Sequence, residues 1–99
     1  MRKILDYLDQ INDELYNAKE YAENYLQFKV EGNQEWSMKY KKMAEDELQH
    51  ALNIRELAVL NMEKLKAVYT PPTSFQETYD KTNSNYIEKV AWIKQMLAI

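Results

Sequence analysis

Residues 28–36, FKVEGNQEW, hold the only glycine of the chain and decide how it folds. Gly32 follows a long apolar-periodic run, where a residue free to take the left-handed conformation ends a helix. Asn33 next to it has the short acceptor side chain of a helix N-cap. A link of two to four residues with this chemistry joins antiparallel neighbours. Upstream, Ile4, Leu8, Ile11, Leu15, Ala18, Ala22 and Tyr25 recur in steps of three and four, the period of a half-buried helix. Downstream, Trp36, Tyr40, Met43, Glu47, Ala51, Ile54, Ala58, Asn61, Leu65 and Val68 give a second stripe that is expected to face the first.

Pro71 and Pro72 stop the second helix, because proline removes a donor and disfavours helix in the residue before it. Ser74-Phe75-Gln76-Glu77 reads as a capping box opening a third helix. Phe75, Tyr79, Thr82, Tyr86, Val90, Ile93 and Leu97 form the apolar face of that helix. Within it, Thr82-Asn83-Ser84-Asn85 is weak helix sequence, expected to kink or fray. The expected fold is all-α: one domain over 1–99, with helices at about 3–31, 34–69 and 74–97, an antiparallel hairpin plus a third helix.

Composition removes several function classes. A net charge of −3 is the wrong sign for a protein that neutralises nucleic-acid phosphates. The absence of cysteine rules out disulfides, thiolate metal sites and cysteine catalysis. With one histidine and no glycine-rich loop, neither a catalytic triad nor a phosphate cradle can be assembled. No apolar run reaches the roughly 18–20 residues of a membrane span. The start MRKILDYLDQI is basic, but Asp6 and Asp9 interrupt any signal-peptide core. The expected location is cytoplasmic.

The segment AEDELQHALNIRELA, residues 44–58, carries the chemistry. At about 100° per residue, Glu47 falls in the middle of the second helix's apolar stripe, and His50 about 60° to one side. A carboxylate placed there without a partner is costly, so it neutralises, pairs or binds a cation. A Glu-x-x-His pair projects both side chains from adjacent turns, the spacing found in di-metal carboxylate bundles. The plainer alternative is a satisfied interior histidine, hydrogen-bonded to Glu47. Glu14 favours the metal reading. It lies near the edge of the first stripe, 18 residues before Gly32, and His50 lies 18 residues after (32 − 14 and 50 − 32). Antiparallel packing about Gly32 therefore brings Glu14, Glu47 and His50 to one height. Carboxylate with imidazole suits iron or manganese, and zinc less demandingly.

Glu14, Tyr21, Glu31-Gly32 and Glu47-Leu48-Gln49-His50-Ala51 resemble the first helical hairpin of ferritin-like proteins, rubrerythrins especially, over about residues 10–60. The resemblance implies Glu14 as a terminal carboxylate ligand, Glu47 as a bridging carboxylate, His50 as the imidazole ligand and Tyr21 as a nearby aromatic able to hydrogen-bond the site. A full ferritin-like chain repeats the hairpin. One histidine supplies only half a di-metal site, and in this the chain is similar to the short encapsulated ferritins, which complete the site between two copies. That implies a homodimer or higher homo-oligomer, an iron cofactor (or manganese or zinc), and Fe(II) oxidation or peroxide chemistry of a ferroxidase or peroxidase type. Thr70-Pro71-Pro72 and Ala91-Trp92-Ile93-Lys94-Gln95-Met96-Leu97 also resemble short phage and prophage proteins of Gram-positive bacteria. The corresponding alternative is a non-catalytic, phage-encoded helical bundle that acts by binding another protein. Glu77 and Glu88 lie opposite the third helix's apolar face and are expected to be solvated. Trp92 lies off that face and is expected at a subunit interface.

Overall fold

The computed structural model describes residues 1–99 as three α-helices: α1 (Arg2–Val30), α2 (Gln34–Lys66) and α3 (Thr73–Leu97). The turn between α1 and α2 is built as its residue types require. Gly32 has φ +77°, and its N–H bonds Lys29 O at 3.1 Å while the Asn33 N–H reaches Phe28 O at 2.9 Å. Those two bonds satisfy carbonyls that the end of α1 would otherwise leave open. The Asn33 side chain then accepts from the Trp36 N–H at 3.2 Å and starts α2.

α2 runs back along α1, and the ring pairs Tyr21–Tyr40 at 6.0 Å and Phe28–Tyr40 at 5.6 Å fix the antiparallel register. Ala18 and Ala22 on α1 and Ala44, Ala51 and Ala58 on α2 are almost wholly buried. These small side chains let the two backbones approach, while Leu8, Ile11 and Leu15 fill the space beside them. α3 lies along one side of this hairpin. It starts at the open end and returns toward the turn, where Lys29 Nζ donates to Ile99 O. Phe75, Tyr86, Ile93, Met96 and Leu97 bury against the pair. The molecule is a rod of 55 × 17 × 17 Å.

One polar contact fastens α3. Arg55 on α2 donates from Nε to Asn83 Oδ1 at 2.7 Å, and its guanidinium lies 4.9 Å from the Tyr86 ring centroid. The cavity among Leu8, Ile11, Arg55, Tyr79 and Tyr86 is about 10 Å³, room for one water at most. Burial pushes the Tyr79 and Tyr86 phenols up, and the nearby Arg55 charge partly opposes the shift.

Several expectations need correction. The buried line of α2 is Ser37, Ala44, Leu48, Ala51, Ala58 and Met62, not the line through Trp36, Met43, Glu47 and Asn61. α3 packs chiefly on α1 and meets α2 along the edge that carries Leu48, Arg55 and Val59, and the buried line of α2 is rotated toward that edge. Trp36 and Met43 are exposed, and Val68 is exposed beyond the end of α2, which stops at Lys66 rather than at 69. Asn61 is half-buried and answers its own helix, donating to Leu57 O at 2.8 Å. The capping box does not form: α3 starts at Thr73, with Pro72 at the N-cap and no side-chain cap bond. The backbone of Pro72 (φ −56°, ψ 147°) already leads the chain into the helix. The weak run Thr82–Asn85 stays helical because Thr82 is buried and Asn83 is held by Arg55. Packing and a side-chain bond here outweigh propensity.

Candidate metal centre

Glu14 lies midway along α1, and Glu47 and His50 lie on successive turns midway along α2. The turn chemistry at Gly32 sets the register that makes them level. One donor atom from each lies within 4.8 Å of the others. No other group of three or more His, Asp or Glu side chains comes together in the molecule. Glu77 and Glu88 are exposed on α3, away from the group.

The carboxylates are more enclosed than the imidazole. Side-chain exposure is 25% for Glu14, 18% for Glu47 and 56% for His50. The expectation of a buried histidine is therefore corrected: His50 stands at the rim. It does not satisfy the carboxylates by hydrogen bonding either. Its Nδ1 is 3.7 Å from Glu14 Oε2 and 3.8 Å from Glu47 Oε1, beyond the roughly 2.7–3.2 Å of an N–H···O bond. Glu14 Oε2 and Glu47 Oε2 are both buried and accept no hydrogen bond at all. Tyr21, one heptad along α1 from Glu14, is half-buried against Tyr40. It too gives no hydrogen bond to these two oxygens.

Two carboxylates held together carry like charges, and each has an enclosed oxygen with nothing to accept from. Orphaned acceptors of this kind cost on the order of 1–3 kcal/mol each, and more where charged. A cation removes both costs. Donors around one ion at about 2.1 Å lie up to roughly 4.2 Å apart, so the 3.7 and 3.8 Å separations to His50 fit a shared ion. The donor set, two hard oxygens and one imidazole nitrogen, suits iron, manganese or zinc. Three protein ligands leave coordination positions open, and the exposed side of His50 leaves them reachable.

The residues around the group are half-exposed apolar side chains. Tyr7, Tyr21, Phe28, Tyr40 and Ile54 are partly covered, and Trp36, Met43 and Leu57 are exposed. Their signal in the sequence was the step of four and three on α2, which reads equally well as core. α3 packs on other positions, Leu48, Arg55, Ala58 and Val59 of α2 and Leu8 and Ile11 of α1. The site therefore lies on the hairpin face turned away from α3.

No family model, no curated protein and no solved structure matches the chain. No helix is long and apolar enough to cross a membrane.

Proposed function

We propose that the chain is a ferritin-like metal-binding protein. Glu14, Glu47 and His50 form half of a di-iron (or di-manganese) carboxylate site, and the same three residues of a second copy form the other half. The observation that carries this reading is the pair of enclosed carboxylate oxygens without a hydrogen-bond partner, set level with the only imidazole of the chain.

Each residue has a role that its chemistry supports. Glu14 caps one metal from α1. Glu47, the least exposed of the three, would be the carboxylate shared between two ions, the role that the ferritin-like resemblance implies. His50 contributes a neutral nitrogen, which tempers the charge that carboxylates alone would place on the ions. Iron held by Glu14, Glu47 and His50 would supply the electrons, two ferrous ions reducing dioxygen with two protons to hydrogen peroxide, or peroxide with two protons to two waters. The reaction class is oxidation of Fe(II) by oxygen or peroxide. Tyr21 and Tyr40 pack on each other about one heptad toward the hairpin turn from the ligands and hold α1 against α2 there.

The second reading is a non-catalytic helical bundle that binds another protein through the same apolar face. The exposed rim position of His50 and the exposed Trp36 and Leu57 favour it. Glu14 separates the two. Anaerobic Fe(II) is added to the wild-type and to Glu14→Gln, then air-saturated buffer, and the near-ultraviolet absorbance of Fe(III)-carboxylate is followed. The metal reading expects prompt oxidation in the wild-type, well above the buffer rate, and the buffer rate in the variant. Equal, buffer-like rates in both would leave only the binding module.

A further inference from the structure

Hydrogen peroxide formed at the proposed centre has few groups in this chain to react with. Its two-electron oxidations fall on thiols and thioethers, and the chain has no cysteine and five methionines. Met62 and Met96 are buried in the core. Met1, Met38 and Met43 are exposed, at 48%, 53% and 38% respectively. Peroxide arriving from solvent should therefore meet Met38 and Met1 before Met43.

Distance from the centre ranks them the other way. Met38 precedes Glu47 by nine residues (47 − 38) and lies about 180° away around α2. Met1 lies 13 residues before Glu14 (14 − 1), roughly 20 Å along α1. Met43 is four residues before Glu47 (47 − 43), about 6 Å along the helix and about 40° around it. It is also one heptad before His50 (50 − 43), so Met43 and His50 stand on one line with Glu47 between their heights. Side chains on a helix lean toward its N-terminus. Glu47 and His50 thus reach back toward the turn that carries Met43. The hydrophobic core does not include Met43, so packing gives no reason for a thioether at this position.

We infer that Met43 is a modification site, the thioether that captures peroxide made at the Glu14/Glu47/His50 centre and becomes methionine sulfoxide. The inference rests on the metal reading, in the branch that reduces dioxygen to hydrogen peroxide. A sulfur lone pair attacks one peroxide oxygen and the O–O bond breaks. The sulfur keeps that oxygen and is oxidised by two electrons, while the other oxygen leaves as water with both protons. No further oxidant or reductant enters. A second copy over the face would shield Met43 from solvent-borne peroxide and leave it open to what forms beside it. The product places a polar, chiral group next to the ligands on a mainly apolar stripe.

Mass spectrometry of peptides, scoring sulfoxide at each methionine, tests this. Metal-free protein is treated with hydrogen peroxide. Fe(II)-loaded protein is treated with air-saturated buffer plus catalase, which removes peroxide that escapes, and iron per chain is read on the same samples. Met38 and Met1 should lead in the first sample, and Met43 should exceed both several-fold in the second. Without catalase, the wild-type should hold back one peroxide per chain before any reaches solution, and Met43→Leu should release it from the first turnover. Iron bound and oxidised with Met43 no more modified than Met38 would overturn this inference and leave the metal reading standing. Met43 leading equally in both samples would overturn it too, since its reactivity would then owe nothing to the centre. Protein that binds no iron and oxidises in order of exposure would overturn both.

Discussion

The two long faces of the α1–α2 hairpin both carry apolar side chains and differ in what finishes them. The face under α3 is closed. Its polar group, Arg55, has Asn83 to bond and Tyr86 to lie on, and the cavity beside it is water-sized. The opposite face has Tyr7, Tyr21, Tyr40 and Ile54 only half covered, and in its middle are two carboxylate oxygens with no partner. A monomer can satisfy the first face with its own third helix. On the proposed reading, a cation and a covering surface from outside the chain complete the second face.

If that contrast is right, the closed face carries the fold. Leu15→Ala removes a side chain that is 1% exposed, and it should destabilise the protein by about 3 kcal/mol. In urea denaturation this is a large drop in midpoint with little change in slope. A change within about 0.5 kcal/mol would mean that the two faces are not distinguished by packing.

Glu14→Gln should lower affinity for Mn(II) or Fe(II) by about 100-fold or more, read by equilibrium dialysis. The same variant, metal-free, should be as stable as the wild-type or more stable by about 1 kcal/mol, because the enclosed group loses its charge. A structural Glu14–His50 ion pair requires the opposite sign, so a clear loss of stability in the metal-free variant would break the contrast at its most sensitive point. Metal binding should also weaken toward acid pH, since protons compete for imidazole and carboxylate.

Arg55→Met on the closed face should cost about 1–2 kcal/mol, from the lost bond to Asn83 and the lost cation over Tyr86. It also sharpens a pH effect. The Tyr79 and Tyr86 phenols are pushed up by burial, so the folded state holds their protons more tightly than the unfolded chain. Their contribution is intact below about pH 10, the usual phenol range, and is lost as pH rises through the folded values. With the Arg55 charge removed, ionised phenolate is less favoured and the decline should be steeper, measured as urea midpoints between pH 8 and 11. The smallest expected effect is on the open face. Leu57→Ala should change the stability of a dilute monomer by less than about 0.5 kcal/mol, and should act on self-association instead.

These contrasts were unevenly legible in the sequence. The stripes of α1 and α3 were plain because large apolar residues mark most of their turns, and Gly32-Asn33 carried the turn in two residues. The Glu14/Glu47/His50 level followed from counting residues about that turn. The rotation of α2 was hidden, since Trp36, Tyr40, Met43 and Ile54 have the spacing of core residues whether or not a chain covers them. Ala44, Ala51 and Ala58, which α2 buries, are too small to mark a face by hydrophobicity. Arg55 gave no signal, because its partner Asn83 lies in a run whose local preference is against helix. The exposure of His50 could not be read either, as it depends on which side α3 chooses.

The decisive measurement is metal per chain together with mass in solution, on protein purified without chelator and then saturated with anaerobic Fe(II). One ion per chain in a dimer or larger even-numbered assembly, lost in Glu14→Gln, is the expected outcome. A monomer that stays metal-free after Fe(II) addition would contradict it, and the open face would then be a docking surface for another protein.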